Sequence, residues 1–145
     1  MRLRFSRTAD YGLRAALEVA RARDGVLVTR QTLADATGAP SSVLAQALAA
    51  LVRAGLLDAQ AGPRGGYRLA RPADAVSIHD VVVAIDPQES QPQCVLRESA
   101  CEEAGHCPFH RFLTEAQDRF LDALRSTSLA DVTAPGALVA LGEAR

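Results

Sequence analysis

Apolar residues recur at three- and four-residue spacing along the N-terminal half of the chain, and the pattern predicts three helices in close succession. In "SRTADYGLRAALEVARARDG" Tyr11, Leu13, Ala16, Leu17, Val19 and Ala20 fall on one stripe, with Ser6 or Thr8 placed to cap the start and Gly25 beyond the end. "VTRQTLADATGAPSSVLAQALAALVRAGLL" divides into two more helices. Thr29 caps the first, "TGAP" turns the chain, and Ser41 or Ser42 caps the second, which ends near Gly55. Leu33, Ala36, Val43, Leu44, Ala47, Leu48 and Leu51 supply the apolar contacts between them. Two short helices across a tight turn, behind a supporting helix, form a helix-turn-helix candidate.

The period then changes. "LLDAQ", "AGPRGG" and "YRLAR" read as strand, turn and strand, a two-stranded wing with Arg64, Arg68 and Arg71 around a Gly- and Pro-rich tip. "SIHDVVVAID" predicts a short helix capped by Ser77 that packs Ile78, Val81, Val82 and Ile85. Pro87 and Pro92 interrupt the polar "PQESQPQ". From Pro108 a long helix is predicted, its stripe formed by Phe109, Phe112, Leu113, Ala116, Phe120, Leu121 and Leu124. A face this aromatic favours a partner surface, and a second copy of the chain suits the two-fold symmetry of helix-turn-helix operators. The fold expected is mainly α: a winged helix-turn-helix region over 1–76, a short helix and cysteine loop over 77–107, a dimerisation helix over 108–132 and a flexible tail over 133–145.

Composition narrows the partner. With 145 residues, 48% of them hydrophobic and 23% charged, the chain suits one domain with a core and an appended helix. The net charge of −1 conceals an asymmetry: residues 1–72 hold 11 Arg against 5 acidic residues, residues 73–145 hold 5 Arg against 12. A basic half on a near-neutral chain points to a polyanion. All 16 basic residues are Arg, which grips phosphates and guanine edges bidentately. No apolar run approaches the roughly 18 residues needed to span a bilayer, and "MRLRFSRTAD" lacks a signal-peptide core, so a cytoplasmic protein with no membrane partner is expected. No Ser/His/Asp arrangement, phosphate-binding Gly loop or paired-carboxylate motif stands out, which argues against an enzyme.

All three cysteines and two of the three histidines fall in "QPQCVLRESACEEAGHCPFHRF". In a reducing compartment clustered cysteines bind metal or do redox chemistry more often than they form structural disulfides. Cys94, Cys101 and Cys107 are separated by six and then five residues, and His110 follows Cys107 after two more. Zinc knuckles pair thiolates two to four residues apart, so this spacing fits zinc poorly, although Cys107 and His110 are compatible with it. An iron-sulfur cluster suits three thiolates on a loop that ends at a helix start, where the positive end of the helix stabilises them. His79 and His106 fit no motif position and are expected at the surface.

"MRLRFSRTADYGLRAALEVA", "LADATGAPSSVLAQALAALVRAGLL", "AGPRGGYRLARP", "ADAVSIHDVVVAID", the three-cysteine segment and "SLADV" resemble, in order and nearly in spacing, the bacterial winged-helix iron-sulfur transcriptional regulators typified by IscR, NsrR and RirA. The resemblance spans about residues 1–132. It implies a dimeric DNA-binding regulator whose operator affinity is controlled by a [2Fe-2S] or [4Fe-4S] cluster sensing nitric oxide, iron or redox state. By the same resemblance Cys94, Cys101 and Cys107 are metal ligands. The fourth is His110, at the position that completes a two-iron cluster, or Asp10, at that of a carboxylate reaching across the dimer to a four-iron cluster. The recognition helix departs from the family in being rich in Ala, which leaves Ser41, Ser42 and Gln46 as base readers. Arg2, Arg4, Arg7, Arg30, Arg53, Arg64 and Arg68 are then the expected phosphate and minor-groove contacts. Two other readings stay open: a cluster-free switch in which the three thiols oxidise, and an iron-sulfur assembly or electron-transfer protein, which leaves the basic half unexplained.

Overall fold

Ser6 starts the first helix: its Oγ accepts the Ala9 N–H at 3.1 Å, and α1 runs Arg7–Arg21. A computed structural model describes residues 5–87 and 107–137. The buried face of α1 is Ala9, Gly12, Ala15, Ala16 and Val19, whereas Tyr11 and Leu13 of the predicted stripe are half-buried. Small residues line the deep side because two helices press on it. A Cβ on Gly12 would overlap the Ile85 Cδ1 and lie 3.1 Å from the Ala47 Cβ.

The second helix, α2 (Arg30–Thr37), is capped by Thr29, whose hydroxyl accepts the Thr32 N–H at 3.1 Å. It ends at Gly38, where φ of 66° puts the backbone in the left-handed region that turns the chain toward α3 (Ser41–Arg53). Neither Ser41 nor Ser42 caps α3. Pro40 occupies the cap position with no side-chain bond, so both serines lie within the first helical turn. Leu33, Leu44, Ala47, Leu48 and Leu51 are buried as predicted, but Ala36 is exposed, one position off the face that α2 turns inward.

The wing is a two-stranded antiparallel sheet, β1 (Leu57–Gln60) and β2 (Gly66–Leu69), with Leu57 opposite Leu69 and Gln60 opposite Gly66. Val28, just before α2, pairs with Tyr67 through two 2.8 Å backbone hydrogen bonds and ties the wing's base to the helix-turn-helix. A Cβ on Gly66 would stand 2.6 Å from the Val28 carbonyl oxygen, so a side chain there would break this tie.

The rest of the chain closes over α1. A 3-10 turn (Ala73–Ala75) leads to α4 (Ile78–Ile85), whose start is a capping box: Ser77 Oγ accepts the Asp80 N–H at 3.0 Å and Asp80 accepts the Ser77 N–H at 2.9 Å. Ser77→Ala is expected to cost about 1 kcal/mol of stability in urea denaturation, with no change in fold by circular dichroism. The helix predicted from Pro108 starts two residues later: α5 spans His110–Ser126. It ends at Ser126, the end of the predicted run "PFHRFLTEAQDRFLDALRS", so the 108–132 segment is not a single helix. The chain is extended at Thr127, and Ser128 begins a fresh capping box with Asp131 that opens α6 (Leu129–Thr133). The Ser128 backbone N–H and hydroxyl both donate to Asp131 and hold its carboxyl below the usual carboxylate range.

This break stitches the C-terminal segment to the rest of the fold. The Ile78 N–H donates to the Thr127 carbonyl at 2.9 Å and the Leu129 N–H to the Val76 carbonyl at 2.8 Å. α6 packs on α1, and Val76, Ile78, Val81, Val82 and Leu129 share one core with Ala15, Val19, Leu33, Leu44, Leu48, Leu51 and Leu57. Among the described residues no helix is long and apolar enough to cross a membrane.

Candidate DNA-binding face and thiol site

Burial divides α3 cleanly. Leu44, Ala47, Leu48 and Leu51 point into the core, while Ser41, Ser42, Gln46, Ala49 and Arg53 are exposed. Because neither serine is spent on a cap, the hydroxyls of Ser41 and Ser42, the Gln46 amide and the Arg53 guanidinium have no polar partner among the described residues. Arg30, the first residue of α2, is exposed with no ion pair among the described residues, and Arg64 is exposed at the wing tip in the same state. Arg68 differs: it lies opposite Asp58 across the wing, Nε to Oδ2 3.7 Å, an exposed pair too weak to remove it from use by a phosphate. Arg7 is exposed at the start of α1. Arg2 and Arg4 lie outside the described residues.

Helix, turn, helix and wing therefore present unpartnered polar and cationic groups from α2, α3 and the wing. An exposed second helix of such a motif fits the major groove, and a basic hairpin beside it meets the phosphates.

Over residues 5–135 the chain matches the model of the Rrf2 family, described as iron-dependent transcriptional regulators. It belongs to that family. The fold agrees with solved Rrf2-like structures. CymR (YrzC), the global cysteine regulator of B. subtilis, superposes with a TM-score of 0.74 at 22% identity, over 90% of this chain and 96% of that one. The oxidized form of Staphylococcus aureus CymR gives 0.73 at 21% identity, over 91% and 97%. T. potens IscR gives 0.70 at 22% identity, over 100% and 90%. The chain is therefore a transcriptional regulator of the Rrf2 family with a winged helix fold.

The second candidate site is only partly within the described residues: Cys94, Cys101 and His106 lie outside them. Cys107 is a free, half-buried thiol. Its carbonyl accepts the His110 N–H at 3.0 Å, so a single turn joins Cys107 to the first residue of α5. Asp10, in the first turn of α1, is held by Arg14 one turn on, Oδ2 to Nη2 3.0 Å, with both side chains about half exposed. Among the described residues no three His, Cys, Asp or Glu side chains gather around one point.

Two features differ from the sequence expectation. His79 is half-buried rather than at the surface, and its Nε2 is enclosed with no hydrogen-bond partner among the described residues. The aromatic stripe of α5 is divided. Phe120 stacks on Phe5 with ring centroids 6.2 Å apart, Leu113 is buried and Leu124 packs on the core, but Phe109 and Phe112 are 57% and 65% exposed.

Proposed function

We propose that the chain acts as a homodimer on a double-stranded operator and that an iron-sulfur cluster held by Cys94, Cys101 and Cys107 sets its affinity. The observation that carries this reading is the free Cys107 thiol one turn ahead of His110 at the N-terminal end of α5. A cysteine and a histidine one turn apart, at the end of a helix that favours negative charge, are residue types suited to holding such a cluster. His110 or Asp10 completes it. Ligation by Asp10 would require its exchange from Arg14, a cheap step for a half-exposed ion pair. Bound there, the cluster would supply a redox- and nitric-oxide-sensitive centre whose loss alters the segment leading into α5. The exposed Phe109 and Phe112 support pairing of α5 with a second copy.

Protein purified without oxygen is expected to be coloured, with visible absorbance and a native mass that report cluster type and dimer state together. Cys101→Ala is expected to abolish the absorbance while leaving the helical content unchanged. His110→Ala and Asp10→Ala separate the two candidate ligands, since only the true ligand's loss alters the spectrum. A colourless protein whose thiols oxidise and reduce reversibly would instead establish the cluster-free switch. That second reading draws support from the likeness to a CymR solved in an oxidized form.

A further inference from the structure

Ser42, Gln46, Ala49 and Arg53 are spaced four, three and four residues apart and stack along the outward side of α3. Three are polar with no partner among the described residues, and the fourth, Ala49, is exposed between two of them. Gln46 is the one long side chain between Ser42 and Arg53 on this face. On either side the helix carries only a hydroxymethyl or a methyl group, so its backbone can approach a flat surface closely there.

Resting on the reading that α3 enters the major groove, we propose that Ala49 is a specificity-determining residue, its methyl packing on the 5-methyl group of a thymine next to an adenine read by Gln46. The chemistry of the groove supports this assignment. Thymine alone presents an apolar group on its major-groove edge, while cytosine, the other pyrimidine, offers an amino donor. An alanine, with no donor or acceptor on its side chain, can select a base through that methyl and through nothing else. Gln46 can bond the N6 and N7 of adenine bidentately. Three residues of helix rise about 4.5 Å, close to the spacing of about 3.4 Å between successive bases. The two readers thus address neighbouring base pairs, and each half-site should hold an adenine beside the methyl-read thymine.

The test uses the full chain and a duplex selected by it from a random library, with each thymine replaced in turn by uracil, which lacks only the methyl. One thymine in a half-site is expected to weaken binding about fourfold when replaced, the worth of one buried methyl. Ala49→Gly and Ala49→Ser, both checked for helical content, are expected to bind the thymine and uracil duplexes equally. Gln46→Ala should relax selection at the adjacent adenine. Base-selective binding that is indifferent to uracil at every position would overturn the Ala49 contact and leave the regulator reading standing. Sensitivity to uracil that persists in both Ala49 variants would overturn it equally. Failure of the unaltered chain to bind any duplex at low salt would overturn the regulator reading and this contact with it.

Discussion

Raising salt from 50 to 200 mM is expected to weaken binding to an operator duplex by about four orders of magnitude. If Arg30, Arg53, Arg64 and Arg68, exposed on α2, α3 and the wing, are the phosphate contacts, each chain supplies four and the proposed dimer eight. Each phosphate neutralised releases counterions and adds about 0.9 to the slope of log affinity against log salt, so eight contacts give a slope of about −7. The chain's net charge of −1 cannot produce this steepness. It must come from the local arrangement, with the acidic residues concentrated after residue 72 and the arginines on α2, α3 and the wing. Arg64→Ala removes two contacts from a dimer and should flatten the slope by about 2 while leaving base preference intact. Fluorescence anisotropy across a salt series reads both quantities, and a flat line would remove the phosphate-contact assignment altogether.

What local chemistry determines was legible in the sequence. The caps at Thr29 and Ser77 are read correctly, and Ser6 is one of the two candidates read for α1, because each needs only its own side chain and an amide three residues on. The wing follows from its turn residues and two short alternating segments. The misreadings are instructive in the same terms. Ser41 and Ser42 look like caps, but Pro40, with φ of −56°, takes the cap position and the helix begins at Ser41. A first-turn serine cannot bond back to the amides it would have to satisfy. The segment 108–132, named for one helix, also contains Ser128 and Asp131, a capping-box pair at the correct spacing within the quoted "SLADV" that opens a second helix. In the candidate site, residue types and spacing name the thiols, and the family resemblance names both possible fourth ligands. Whether Asp10 or His110 would complete the proposed cluster depends on tertiary and quaternary placement, which no spacing along one chain encodes. The same holds for His79, whose burial depends on what packs over the start of α4.

Gly12→Leu is expected to cost the fold about 3 kcal/mol, at the upper end of overpacking, and to lower Tm by about 10 °C. Within the apolar stripe of α1, Gly12 reads as a weak point, since glycine costs a helix interior about 1 kcal/mol relative to alanine. Packing explains its presence. Gly12 is where α1 meets the Ile85 Cδ1 at the end of α4 and the Ala47 Cβ in α3. A leucine would have to push one of those helices away. Alanine is a finer probe: it gains helix propensity but needs the flexible end of Ile85 to turn aside and meets Ala47 at 3.1 Å, so the single change should be near neutral. Shortening the neighbour relieves the conflict. Gly12→Ala made together with Ile85→Val should be more stable than the two single effects predict, by about 1 kcal/mol in a double-mutant cycle. Additive effects would show that the three helices do not meet as described. The junction matters beyond stability because Ala47 lies on the core side of the same helix that carries Gln46, and Ile85 closes the helix that leads toward Cys94. A spacer inserted at Gly12 would therefore alter the distance between the recognition helix and the element feeding the thiol segment, and a Gly12→Leu protein that still folds should bind the operator with its response to cluster loss or thiol oxidation diminished.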